Sequence, residues 1–130
     1  MKVHFYSKAL DHELDFYSNA IRENDFIKFK DESLVNTEIS LKKENEALVF
    51  KRTGDTFMDV LFKKGQKNIG KYKSTNGLEF DFEVDTKYLY FEDEKIEFAY
   101  YLYIDGELNN IVKIIVSFNW LTKLLQINYL

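Results

Sequence analysis

KYKSTNGLEFDFEVDT, residues 71–86, places four acids, Glu79, Asp81, Glu83 and Asp85, at every second position with mostly apolar residues between them. Alternation of period two marks a strand with one face toward a core and one toward water. A row of carboxylates serves either acid–base or metal chemistry, or simply the wet side of a sheet. Register separates the two readings, because antiparallel partners point to the same face. A two-residue Asn76-Gly77 turn sets Lys73 opposite Phe80 and Lys71 opposite Phe82, charge against ring. A three-residue loop, Thr75-Asn76-Gly77, sets Tyr72 opposite Phe80, Lys73 opposite Glu79 and Lys71 opposite Asp81. It also puts Gly77 where a left-handed backbone is required. The second register is the consistent one. It makes the acids an outer, lysine-facing row and predicts a sheet wall whose inner side carries Tyr72, Phe80 and Phe82.

The same alternation runs through most of the chain. Val35, Thr37, Ile39 and Leu41 share one face, as do Ile96, Phe98, Tyr100, Leu102 and Ile104, and Val112, Ile114, Val116 and Phe118. Turn pairs recur between the runs: Asp11-His12, Asn24-Asp25, Glu44-Asn45, Gly54-Asp55, Gly65-Gln66, Asn76-Gly77 and Asp105-Gly106. The pattern predicts an all-β, antiparallel up-and-down meander of about eight to ten strands. Such a meander closes into a barrel or leaves two edges bare, and closure is the expected outcome. No linker or repeat interrupts the chain, so residues 1–118 read as one barrel domain. The remainder, 119–130, breaks the alternation. Trp120, Leu121, Leu124 and Leu125 suit a short C-terminal amphipathic helix that packs on the barrel or on a partner.

Composition bounds the function. The chain has 130 residues, 45% hydrophobic and 17% aromatic, enough for one real core. There is no cysteine, which removes disulfides, thiolate metal sites and cysteine nucleophiles and suits a cytoplasmic protein. No apolar run has the length of a membrane span, so no membrane partner is expected. Phosphate loops, dinucleotide fingerprints and HExxH helices are absent from the sequence. Of the two histidines, His12 sits in a turn-like DHELD beside Asp11, Glu13 and Asp15, and His4 alternates with core positions Val3 and Phe5. With no second histidine or thiol nearby, an exposed turn is the better reading of His12. No catalytic residue, metal site or cofactor is assigned.

Charge is unevenly spread. Residues 1–41 carry five basic and eight acidic side chains, 42–73 nine and four, and 74–130 four and ten. The basic middle, with Lys42, Lys43, Lys51, Lys63, Lys64, Lys67, Lys71 and Lys73, invites a nucleic-acid reading. A net charge of −4 and only two arginines argue against it, and opposite charges pairing across neighbouring strands is the simpler expectation.

Polar residues on inward positions carry the most information. Leu48, Phe50 and Arg52 share a face, so Arg52 aims into the barrel. Ile27, Phe29 and Asp31 do likewise, bringing an acid inward at a strand end. Tyr72, Tyr100, Thr37, Thr86 and Ser18 are inward by the same rule. A buried arginine must be paired or bind an anion. The structural reading is an Arg52–Asp31 pair or a polar cage closing one barrel end. The functional reading is an anchor for a ligand carboxylate or phosphate inside an apolar cavity. An interior cavity reaching Arg52 favours the second, and a solid interior with Arg52 fully paired favours the first.

Over RTGDTFMDVLFKKGQKNIGKYKSTNGLEFDFEVDT the chain resembles the YwiB-like family, bacterial domains of unknown function with a calycin (lipocalin-like) barrel. The matching features are Arg52 and Gly54, Met58, Phe62 with Gly65, then Tyr72, Gly77, Thr86, Leu89 and Tyr100. The likeness runs from about residue 3 to 118. Ala20 and Phe29 depart from it, standing where a glycine and a tyrosine are expected, and 119–130 looks like an addition. The resemblance implies an antiparallel barrel and no established activity. Together these observations lead to a non-enzymatic barrel that binds a small amphipathic or anionic ligand, with Arg52, Tyr72, Tyr100, Asp31 and Thr86 as the expected contacts. The alternatives are an interaction protein that uses strands 42–73 or the tail on a protein or RNA partner, and a small enzyme with its site at the barrel mouth. A homodimer is left open by the sequence.

Overall fold

A computed structural model describes residues 1–119, and the expected C-terminal helix over 119–130 lies outside the described residues except for the strand end at Asn119. Ten strands follow in chain order: β1 (Lys2–Lys8), β2 (Glu13–Glu23), β3 (Phe26–Lys30), β4 (Thr37–Glu44), β5 (Ala47–Gly54), β6 (Thr56–Lys63), β7 (Lys67–Ser74), β8 (Glu79–Phe91), β9 (Lys95–Ile104) and β10 (Glu107–Asn119). Each pairs antiparallel with its sequence neighbours, and β1 pairs with β10, with Val3 opposite Phe118 and Lys8 opposite Lys113, to close the barrel. Strand alternation places the connections after β1, β3, β5, β7 and β9 at one end, called the upper end below. The chain start and the connections after the even strands lie at the lower end.

The quoted hairpin has the three-residue register. Tyr72 faces Phe80, Lys73 faces Glu79 and Lys71 faces Asp81. Gly77 takes φ 91° and its N–H donates to the Ser74 carbonyl, while the Ser74 N–H donates to the Leu78 carbonyl. Elsewhere the turn residues read from sequence also occupy left-handed backbone, among them Asn24, Asp25, Asn45 and Asp105. Gly54 is the most constrained. At φ 117°, an added Cβ would lie 1.9 Å from the Asn36 carbonyl oxygen, so the β5 end and the 31–36 loop touch backbone to backbone.

Inward side chains fill most of the barrel. Phe50, Phe62 and Phe98 meet at its centre, with Phe62–Phe98 centroids 4.7 Å apart and Phe62–Tyr100 centroids 4.6 Å apart. Toward the lower end Leu48, Leu89, Ile96 and Phe118 continue the core. One expectation needs correction: Val35 is exposed, because the chain is still in the turn before β4 and only Thr37, Ile39 and Leu41 enter the wall. Ser40 points outward yet is buried, flanked in register by the long side chains of Lys28 and Lys51.

The outer wall carries charges in rows. In register across four strands run Lys51, Asp59, Lys71 and Asp81, so the basic and acidic segments of the sequence interleave. An apolar interior under a charged exterior is the inverse of a lipid-spanning barrel. Among the described residues, no helix is long and apolar enough to cross a membrane.

Candidate functional site

Arg52 and Asp31 come together at the upper end. Arg52 stands two residues before Gly54 on β5, and Asp31 directly follows β3. Asp31 is 0% exposed, and Arg52 Nε donates to its Oδ2 at 2.9 Å. The other oxygen, Oδ1, accepts from the Ser33 backbone N–H at 2.9 Å and from the Ser33 hydroxyl. Asp31 is thus held at both oxygens. Its contact with Arg52 is a single bond from Nε, not the two-pronged pairing that gives the strongest carboxylate pairs. Arg52 Nη1 lies 3.7 Å from the Met58 sulfur, and the guanidinium stacks 5.1 Å from the Phe50 centroid. The remaining Nη donors have no hydrogen-bond partner among the described residues, and the side chain is 17% exposed.

Beside this pair lies a pocket of about 110 Å³ lined by Met58, Tyr72, Phe80, Phe82, Tyr100, Leu102 and Ile104. Its depth follows β9. Ile104 stands nearest the upper end, Leu102 below it, and Tyr100, 9% exposed, at the floor. Four residues of strand span roughly 13 Å. Beneath Tyr100 the Phe62–Phe98 cluster ends the pocket. Tyr72 and Phe80 stack on one wall at 4.9 Å between centroids. Phe82 packs over Gly70, whose missing Cβ leaves room for the ring.

The Tyr100 hydroxyl makes no hydrogen bond among the described residues. Burial pushes its pKa up to about 12, with the Arg52 charge acting in the opposite direction. It therefore presents a neutral O–H donor at the pocket floor at any ordinary pH. The rim is acidic. Asp11, Glu13, Glu32, Asp55, Glu79, Asp105 and Glu107 lie at or beside the upper turns, against Lys8, Lys30 and Lys73.

Of the five expected contacts, Tyr72 and Tyr100 line the pocket, while Arg52 stands just behind Met58 and Asp31 behind Arg52. The pocket thus reaches a neighbour of Arg52 without being lined by it, and Arg52 is paired without being saturated. Thr86 is fully buried and stands opposite Tyr100 in register, yet it is not part of the pocket lining. Its backbone ties to the β6–β7 turn, accepting from Gly65 N–H at 2.9 Å and donating to the Gln66 carbonyl at 3.1 Å. Its hydroxyl is buried without a partner and does not line the pocket. Met58, Leu102, Ile104 and Ser33 were not singled out from sequence as site residues. Met58 was within reach: a β5–β6 hairpin centred on Asp55 sets it opposite Arg52, as observed. The two histidines lie on the surface, His4 against Asp15 and stacked 4.4 Å from Tyr17. Among the described residues no group of three His, Cys, Asp or Glu is placed to hold a metal.

Fold and site together define a closed ten-stranded, up-and-down antiparallel barrel with a blind pocket at one end. The family model described as "Domain of unknown function (DUF1934)" matches residues 10–115, and the chain belongs to that family. The likeness to the YwiB-like family carried by Arg52, Gly54, Met58, Tyr72 and Gly77 is in accord with it. Among solved structures, the ywiB protein from Bacillus subtilis superposes with a TM-score of 0.63 at 17% identity, covering 91% of this chain and 90% of that one. At that identity the match demonstrates a shared fold. No curated protein matches the chain.

Proposed function

We propose that this barrel is a non-enzymatic, cytoplasmic binder of a small amphipathic molecule, held in the upper pocket. One observation carries the reading. An apolar pocket ends on the Tyr100 hydroxyl, which lacks a protein partner, beside an Arg52 whose Nη donors are not used by Asp31. A few polar groups at the inner end of an apolar pocket are the usual make-up of a small-molecule site. Tyr72 and Tyr100 serve as walls, Arg52 as the polar neighbour, and Asp31 as the residue that orients Arg52. Thr86 has no role in this pocket.

The interaction reading through strands 42–73 receives less support, because Lys51 and Lys71 alternate with Asp59 and Asp81 across the wall. The enzyme reading is weakened by Asp31, whose two oxygens are already taken up by Arg52 and Ser33. Native mass spectrometry of the freshly purified chain tests the proposal. An adduct that is lost when Leu102→Trp fills the pocket supports it. A bare chain, combined with no response of pocket resonances to a library of small apolar compounds, rejects it.

A further inference from the structure

The pocket's size, depth and electrostatics restrict what enters. A dry cavity of roughly 150 Å³ accepts a benzene ring, whereas long-chain ligands need several hundred. At about 110 Å³, open at the mouth, this pocket takes one ring and leaves its outer edge at the rim. A longer chain cannot thread past the floor, where Phe62 and Phe98 close the barrel. One donor able to bind a polar head, the Tyr100 hydroxyl, belongs to the floor residue, while the Arg52 Nη donors stand beside the pocket at the upper end, past the Met58 sulfur. A head that reaches Tyr100 is stripped of water.

Charge then decides the kind of head. Asp31 already neutralises Arg52 at 2.9 Å, so an entering carboxylate meets no net positive charge and adds a second anion to the same cluster. Outside, the acidic rim repels anions on approach. The donors remain, and they call for an acceptor. We propose that the ligand is a single-ring aromatic compound with an uncharged hydrogen-bond acceptor, such as a carboxamide, ester or ketone, bound head first against Tyr100. This rests on the ligand-binding reading above and excludes fatty acids and other anions as occupants.

The test is a heteronuclear NMR titration of the full chain with four probes: benzamide, benzoate, benzylammonium and octanoate. Benzamide is expected to shift Met58, Tyr100 and Leu102 and to bind at least about tenfold more tightly than each of the others. Tyr100→Phe, verified folded by its amide spectrum, should weaken benzamide about fivefold by removing one donor. Benzoate, octanoate or benzylammonium binding the same residues as well as or better than benzamide overturns this ligand class and leaves the pocket reading standing. Undiminished benzamide binding by Tyr100→Phe overturns the head-first orientation. If no probe shifts these residues, the class and the pocket reading both fall.

Discussion

Arg52 shows what a single residue's place in an alternating pattern reveals. Its inward aim follows from Leu48 and Phe50, four and two residues earlier. Its partner, Asp31, is 21 positions away and becomes its neighbour only once β3, β4 and β5 are laid side by side. Tyr100 is a second case. Its folded-state pKa is about 12, while a solvated tyrosine titrates near 10. The folded chain thus keeps a proton that the unfolded chain releases as pH rises above 10. Stability from this group is complete below pH 10 and is lost as pH climbs toward 12. Urea unfolding midpoints should fall across that window, and Tyr100→Phe should flatten the fall. Tyr88 shares the window, raised to about 12 by burial and by its 3.0 Å hydrogen bond to Glu97, so Tyr88→Phe should flatten it too. A slope identical to the parent's in both variants would refute burial of these tyrosines as its source.

At the scale of the element, the β7–β8 hairpin was legible because its two sides are chemically different. Only one register puts rings opposite rings and lysines opposite acids. The hairpin also contains a constraint that alternation does not reveal. Gly70 falls on the inward side between Asn68 and Tyr72, and an added Cβ there would sit 2.3 Å from Phe82 Cζ. Gly70→Ala is therefore expected to cost about 1–3 kcal/mol, as overpacking does, and to narrow the pocket floor. Replacing the ring as well, in Gly70→Ala/Phe82→Leu, should recover part of the loss, so that the two changes are not additive in urea unfolding. Additive costs would mean that the glycine is needed for something other than the Phe82 ring. The charge rows make the same point about strands. The basic run 42–73 looks like a patch along the chain, but Lys51, Lys71 and Lys73 stand opposite acids across the wall.

For the whole molecule, closure is the decisive event. Nine of the ten strand pairings join sequence neighbours, while the tenth joins Lys2–Lys8 to 113–119. Strand β1 also contributes Val3 and Phe5, both fully buried, and satisfies an edge on each of its flanks. Removing residues 1–8 should leave β2 and β10 with unpaired edges and convert the chain from a discrete species to aggregates on size-exclusion chromatography. A truncated chain that elutes and melts like the parent would show that closure is dispensable.

An all-β meander of about eight to ten strands, the facing of most of its residues and the register of the β7–β8 hairpin follow from the sequence alone, because alternation and turn chemistry act over about ten residues. The same local rules place Arg52, Asp31, Tyr72, Tyr100 and Thr86 inward. They do not tell which inward residues meet, since that depends on the stagger of strands around a closed wall. Stagger brings Asp31 to Arg52, gathers Leu102 and Ile104 with Tyr72 and Phe80 around one mouth, and leaves Thr86, opposite Tyr100, outside the lining. A pocket is a property of side chains converging from β6, β7, β8 and β9 at one height in the barrel, and only the folded molecule sets that height.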